Sequence, residues 1–245
     1  MEQTFKKTFE VNIRKIDHNQ RLKPVKLVDY LNNTAKSHSE SLGYSFESLY
    51  RKGYSWILLS WNIRIGQLPM LGEKIHIETW ISEIKRCFAY REFLIRNNRN
   101  EIIVFISSQW IFYNINKRKP TKIISEFPEL WIIHPTKACN KSITSFSVPK
   151  EPDYQNTENI IIQQKDIDIL NHVHNSKYID WVMAIKPEKI WQKYLLKHLQ
   201  AFYYHELKYP GEILIKQKII SPKESCEQFI YDKILDRNEH RFLQK

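Results

Sequence analysis

Residues 166–183 read DIDILNHVHNSKYIDWVM. The first ten of them hold two carboxylates, two histidines and two asparagines. The pattern then becomes helical, with Tyr178, Trp181, Val182 and Ile185 spaced i, i+3, i+4, i+7. Ser176 or Asn175 is expected to cap that helix. A polar loop entering a helix start brings unpaired backbone N–H groups beside acid and imidazole groups, where a developing negative charge is stabilised. Crowding of this kind points to chemistry.

Upstream, the periods alternate between those of helix and strand. Residues 5–13 read as a strand. Pro24 opens a helix with Leu27, Leu31, Thr34, Ala35, His38 and Leu42 on one face, stopped at Gly43. A short helix is expected over 46–51. From Ser55 the period falls to two: Ile57, Leu59, Trp61, Ile63 and Ile65 share one strand face. Further strands are expected over 74–81, 88–96 and 102–113. Short turns join these strands in sequence order, which predicts an antiparallel meander.

Residues 137–158 are polar and aperiodic and read as a linker. The order then repeats. A strand over 160–163 precedes the Asp/His loop and its helix, and Pro187 opens a shorter helix to 196. Strands follow at 200–209, 212–221 and 227–235, with a short one at 240–245. The expected division is 1–136, an N-terminal unit; 137–158, a linker; and 159–245, a C-terminal unit. Two helix-in-sheet units of this kind can cover both helix stripes and shield sheet edges.

Composition narrows the function. The 245-residue chain is long enough for a substantial core, and its 42% hydrophobic and 13% aromatic content is globular. Five glycines and no G-x-x-x-x-G-K pattern argue against a phosphate loop. A net charge of +11, spread along the chain, suits an acidic partner or a solvated basic surface. No nucleic-acid motif accompanies it. Cys87, Cys139 and Cys226, without CxxC spacing, suggest free thiols in a reducing compartment. The absence of a signal-like or membrane-length apolar run predicts a soluble cytoplasmic protein without a membrane span.

The second half resembles the hot-dog thioesterases, whose loop runs D-x-D-x-N-x-H-V-N-N-x-x-Y-I-x-W. The first half, through AKSHSESLGYS, GYSWILLSWNIRIGQLPMLGEKIHIETW, YREF and SSQWIFYNINKRKPTKI, resembles the N-terminal unit of the acyl-acyl-carrier-protein thioesterases. The resemblance covers about residues 4–240. It implies an α+β tandem double hot-dog, with long antiparallel sheets each wrapping a central helix and the N-terminal unit holding the acyl chain. It further implies a hydrolase in lipid metabolism that releases fatty acids from an acidic acyl carrier protein, without cofactor or metal. Acyl-CoA hydrolysis, or acyl binding without catalysis, are the alternatives, and monomer and homodimer both stay open.

Position by position, the resemblance makes Asp168 and His172 the catalytic aspartate and histidine and Glu206, in FYYHELKYPGE, the glutamate. The family's intervening asparagine falls at Leu170, and His174 stands where an asparagine is usual. Asn171, His174 and Asn175 are candidate supporting residues. Thioester hydrolysis needs an activated water and an oxyanion donor; Glu206 or Asp168 is expected to serve as base, and amides near 173–175 as donors. Asp166 reads as a turn carboxylate. His172, His174 and His205 lack the spacing of a zinc set. Cys139 and Cys226 read as structural thiols. Trp56, Trp61, Trp80 and Trp110 read as core, with the lining of an acyl pocket in the first half as the alternative for some of them, and Arg91 as either an inward ion-pair partner or a surface residue.

Overall fold

The computed structural model describes residues 4–123, 132–139, 156–185, 194–221, 225–232 and 237–244. The chain forms two compact units, Met1–Ile143 and Thr144–Lys245. Among the described residues no helix is long and apolar enough to cross a membrane.

In the first unit, β1 (Phe5–Glu10) leads through a 3₁₀ turn (Ile13–Lys15) into α1 (Pro24–Ser41) and α2 (Phe46–Arg51). Four long strands follow: β2 (Tyr54–Ile65), β3 (Lys74–Lys85), β4 (Phe88–Arg96) and β5 (Ile102–Asn114), with a two-residue β6 (Lys119–Pro120) paired to β5. They hydrogen-bond antiparallel in the order β1-β3-β4-β5-β2. Pro24 suits the first helical position because its missing N–H has no acceptor there. Gly43 ends the segment at φ +83, a conformation open to glycine.

The predicted apolar stripe of α1 is buried at Leu27, Leu31, Thr34 and Ala35. On the same sheet face lie Ile75, Ile77 and Thr79 of β3, Phe93 and Ile95 of β4, and Trp61 and Ile63 of β2, all buried, while Ile81 packs with Tyr44 and Leu49 around α2. Each fully buried Leu, Ile or Phe contributes about 1.5–3 kcal/mol. The alternation expected along β2 is interrupted by a register shift between Leu58 and Ser60. Trp61, Ile63 and Ile65 keep the predicted face, whereas before the shift Leu58 is buried and Ile57 is not. An extra residue on one strand flips side-chain parity.

Arg91 points inward. Its Nη1 donates to His38 Nδ1 at 2.9 Å and to Thr79 Oγ1 at 3.2 Å. Burial, and secondarily the Arg91 charge, lowers the His38 pKa from 6.5 to about 3, so this histidine is neutral. Between pH 6.5 and about 3 the unfolded chain binds a proton that the folded chain refuses. The His38 contribution is therefore complete above pH 6.5 and is lost as pH falls toward 3. The melting temperature should drop across that window, and His38→Gln should reduce the slope; an unchanged slope in the variant would acquit His38.

Residues 133–134 pair with β3 at Ile81, and residues 136–139 cross the other face of the sheet. Glu92, buried, accepts from Ser82 Oγ (2.8 Å), from Ser107 Oγ and from the Ala138 amide (3.1 Å). Trp80 Nε1 donates to the Thr136 carbonyl at 2.8 Å. Residues 137–139, expected at the start of a linker, thus lie against the first unit. The rest of that stretch up to residue 155 falls outside the described residues, and residues 156–158 enter a strand. Burial pushes the Cys139 thiol pKa up, as suits a structural thiol.

The second unit repeats the order. β7 (Asn156–Ile161), a 3₁₀ turn (Gln164–Asp166) and α3 (Asn175–Ala184) are followed by β8 (His198–Tyr203), β9 (Glu212–Ser221), β10 (Ser225–Asp232) and β11 (Arg237–Gln244). The antiparallel order β7-β9-β10-β11-β8 matches that of the first unit strand for strand. The helix expected from Pro187 falls largely outside the described residues, and residues 194–197 are not helical.

Candidate active site

The Asp/His loop is held by its own backbone. Asp168 Oδ1 accepts from the amides of Leu170 (2.8 Å) and His172 (3.0 Å). The Asp168 amide donates to the His172 carbonyl at 2.8 Å, and Asn171 turns the chain at φ +63. Asparagine tolerates this left-handed conformation better than most residues. Its side chain donates from Nδ2 to the Tyr209 carbonyl at 2.8 Å. The loop is thereby tied to the 206–211 segment, where His172 bridges to Lys208 and the Val173 amide donates to Leu207 at 2.9 Å.

That register brings together two groups 34 positions apart: His172 Nε2 lies 3.2 Å from Glu206 Oε2. The carboxylate side is 42% exposed and the imidazole 22%, so solvent reaches the pair. Tyr178 Oη accepts from the Leu207 amide at 3.0 Å, and Tyr203 Oη donates to the Asn175 carbonyl at 3.0 Å. Burial, reinforced by Tyr178, raises the Tyr203 phenol well above its ordinary pKa, so it remains a donor.

Three local expectations change. His174, not Ser176 or Asn175, is the N-cap of α3, and it makes no side-chain capping bond. The amides of Val173 and His174 are already used, by Leu207 O and Asp166 O (3.0 Å). At the start of α3 the Lys177 amide is likewise used, by the His174 carbonyl at 2.8 Å. Asn171, expected as a supporting polar group, uses its amide to anchor the loop. His174 is exposed, and among the described residues no three His, Cys, Asp or Glu side chains are placed to hold a metal ion.

Asp166 is buried, with Oδ2 accepting from the Gln163 amide at 3.0 Å and Oδ1 3.3 Å from Lys177 Nζ. Burial opposes the Lys177 charge, but Asp180 and then Asp166 outweigh it and raise its pKa. Gly211 closes the segment under the loop. A Cβ there would lie 2.6 Å from the Lys208 carbonyl oxygen. Gly211→Ala should cost about 1–3 kcal/mol of stability through this overlap and lower turnover by shifting the His172–Lys208 bridge. An unchanged melting temperature would show that the turn relaxes.

The sequence reading missed that the first unit contains the same loop. Asp17 Oδ1 accepts from the amides of Asn19 (2.8 Å) and Arg21 (2.9 Å). The Asp17 amide donates to Arg21 O at 2.8 Å, Gln20 turns at φ +61, the Leu22 amide donates to Pro69 O, and Lys23 caps α1. Phe5 corresponds to Asn156, Ile13 to Gln164 and Pro24 to Asn175, a constant offset of 151 residues (156 − 5, 164 − 13, 175 − 24). The shared signal is short, KID at 15–17 against DID at 166–168. Arg21 stands at the His172 position. The Leu22–Pro69 and Arg21–Met70 pairings put Leu68 at that of Glu206.

A helix laid on an antiparallel sheet, present twice, with an imidazole on the loop before the second unit's helix paired to a carboxylate on the segment after β8, defines a tandem hot-dog protein. The chain belongs to the acyl-ACP thioesterase family: residues 2–131 match the acyl-ACP thioesterase N-terminal domain and residues 150–241 the C-terminal domain. A palmitoyl-acyl carrier protein thioesterase of Arabidopsis thaliana is 23% identical over 214 residues, covering 82% of this chain and 52% of its own. An oleoyl-acyl carrier protein thioesterase of Coriandrum sativum is 21% identical over 252 residues, covering 97% and 67%. The chain thus spans about half to two thirds of these relatives' length. An acyl-ACP thioesterase structure from Bacteroides thetaiotaomicron superposes with a TM-score of 0.86 at 21% identity, over 99% of this chain and 97% of that one. The 12:0-ACP thioesterase from Umbellularia californica gives 0.89 at 16% identity, over 100% and 97%.

Proposed function

We propose that the protein hydrolyses the thioester of a fatty acyl group carried on acyl carrier protein, with Glu206 as general base and His172 as its partner. The 3.2 Å contact between His172 Nε2 and Glu206 Oε2 carries this reading. Glu206 removes a proton from water as the water oxygen attacks the thioester carbonyl. His172 orients the carboxylate and the water. An amide in the first turn of α3 stabilises the oxyanion, one such donor being worth about 3–4 kcal/mol. The C–S bond then breaks, and the leaving thiolate takes the proton held by Glu206, giving free fatty acid and thiol.

Asp168 suits the base role less well. Its Oδ1 already accepts two backbone amides, and protonation would cost those charge-assisted bonds. Asp17 makes the same bonds where histidine and glutamate are both replaced. Asp168 is therefore a positioning residue that fixes the His172 backbone.

Hydrolysis of matched acyl-carrier-protein and acyl-CoA thioesters, beside His172→Ala, tests the reading. Turnover on the carrier-protein series, lost in the variant with its fold intact, is expected. Preference for acyl-CoA would overturn the carrier assignment, and absence of turnover on both would overturn hydrolysis. Leu170 offers a separate test. The equivalent position in the first unit is Asn19, so the loop backbone accepts asparagine. Leu170→Asn should raise turnover several-fold if an amide role is vacant; an inactive variant would refute that.

A further inference from the structure

The duplicated loop is a controlled comparison: one backbone carries two different side-chain sets. In the second unit, residues 163–177 contain Lys165 and Lys177 against Asp166 and Asp168. In the first, residues 12–26 contain Arg14, Lys15, Arg21, Lys23 and Lys26 against Asp17 alone. The matched exchanges are directional. Lys15 replaces Asp166, Arg21 replaces His172 and Lys23 replaces His174. The first-unit loop has exchanged the acid–base groups for cations while keeping the carboxylate that shapes it.

The backbone gathers these cations. The Lys23 amide donates to Lys15 O at 2.9 Å, and the Lys26 amide to Lys23 O at 2.9 Å. Ile16 bridges to Leu22, so the strands bearing Arg14–Lys15 and Arg21–Lys23 run side by side. Arg14 and Lys23 are exposed, and Arg21 is half-buried. Lys15 Nζ rests on Tyr30, 3.1 Å from its hydroxyl and 4.4 Å from the ring centroid, while Lys26 pairs with Asp29 at 2.9 Å. Asp17 and Asp29 set against the five cations leave the patch net positive, at +3 (5 − 2).

We propose that the Asp17 loop of the first unit is a docking surface for the acidic face of the carrier protein that delivers the acyl thioester. This deepens the functional reading above and rests on it. Clustered charge of one sign raises encounter rates with an oppositely charged partner and weakens with salt. The patch acts on capture of the carrier, not on the chemical step.

The test replaces Arg14, Arg21 and Lys23 together by Gln, leaving Lys15 on Tyr30 and the Asp17 bonds in place. A control replaces three other exposed cations, Lys52, Arg99 and Lys117, by Gln, with the same change in net charge. The loop variant should raise KM for acyl carrier protein about ten-fold at low salt, with kcat held within two-fold and the salt dependence of kcat/KM flattened. Hydrolysis of a short acyl-pantetheine thioester should not change. Equal effects of the two variants, or an unaltered KM in the loop variant, would overturn the surface. Binding of holo carrier protein is measured in parallel. If the wild type binds carrier through this loop but hydrolyses only acyl-CoA, the catalytic reading fails while the surface stands. If the wild type binds no carrier, the surface fails.

Discussion

Glu206→Gln is expected to lower kcat on an acyl thioester by about 10³, within the 10²–10⁴ range typical of losing a general base. The substitution keeps the shape of the side chain and removes its capacity to take a proton. Glu206 is 42% exposed and meets His172 at 3.2 Å in a solvent-accessible pair. Such pairs contribute only about 0–1 kcal/mol, so the melting temperature should barely move. KM should also change little, because the lost interaction belongs to the transition state. The measurement is steady-state kinetics beside thermal unfolding. A Glu206→Gln variant retaining more than a tenth of wild-type kcat would remove Glu206 as the base and leave His172 as the candidate.

Replacing Asp168 and Asp17 separately by Ala should part structure from chemistry. Each carboxylate accepts two backbone amides, at 2.8 and 3.0 Å for Asp168 and at 2.8 and 2.9 Å for Asp17. Hydrogen bonds to a charged group contribute about 1.5–3 kcal/mol each, and water recovers part of that for half-buried loops. Each variant should therefore lose stability by a similar amount, about 2 kcal/mol. Their kinetics should diverge. Asp168→Ala releases the backbone of His172 and should lower kcat by about 10² or more, since small misplacements of a catalytic group are costly. Asp17→Ala should leave kcat on a small acyl thioester within about two-fold, because Arg21 and Leu68 stand where the second unit has His172 and Glu206. Equal loss of kcat in both variants would show that the first-unit loop takes part in catalysis and would overturn the division of roles.

What could be read from residue order was whatever depends on near neighbours. Pro24, the 3.6-residue stripe of Leu27 and Leu31, and Gly43 place α1, and the bounds of α2 match the expectation. Period-two runs gave β4 and β9 their observed bounds, since a strand half-buried in a sheet must alternate. The tandem hot-dog order and the candidates Asp168, His172 and Glu206 were likewise visible as pattern and resemblance. Tertiary structure alone decided what hydrogen bonds between distant segments control. The shift at Leu58–Ser60 depends on pairing with β5. The amides of Val173 and His174 are consumed by Leu207 and Asp166. His172 meets Glu206 because the loop pairs with Lys208. The likeness of the Asp17 and Asp168 loops is a likeness of backbone bonds, which nearly unrelated side chains can share. Local sequence specifies helices, strands and turns because their energetics are local; the groups that face one another are chosen by the pairing of remote strands and loops.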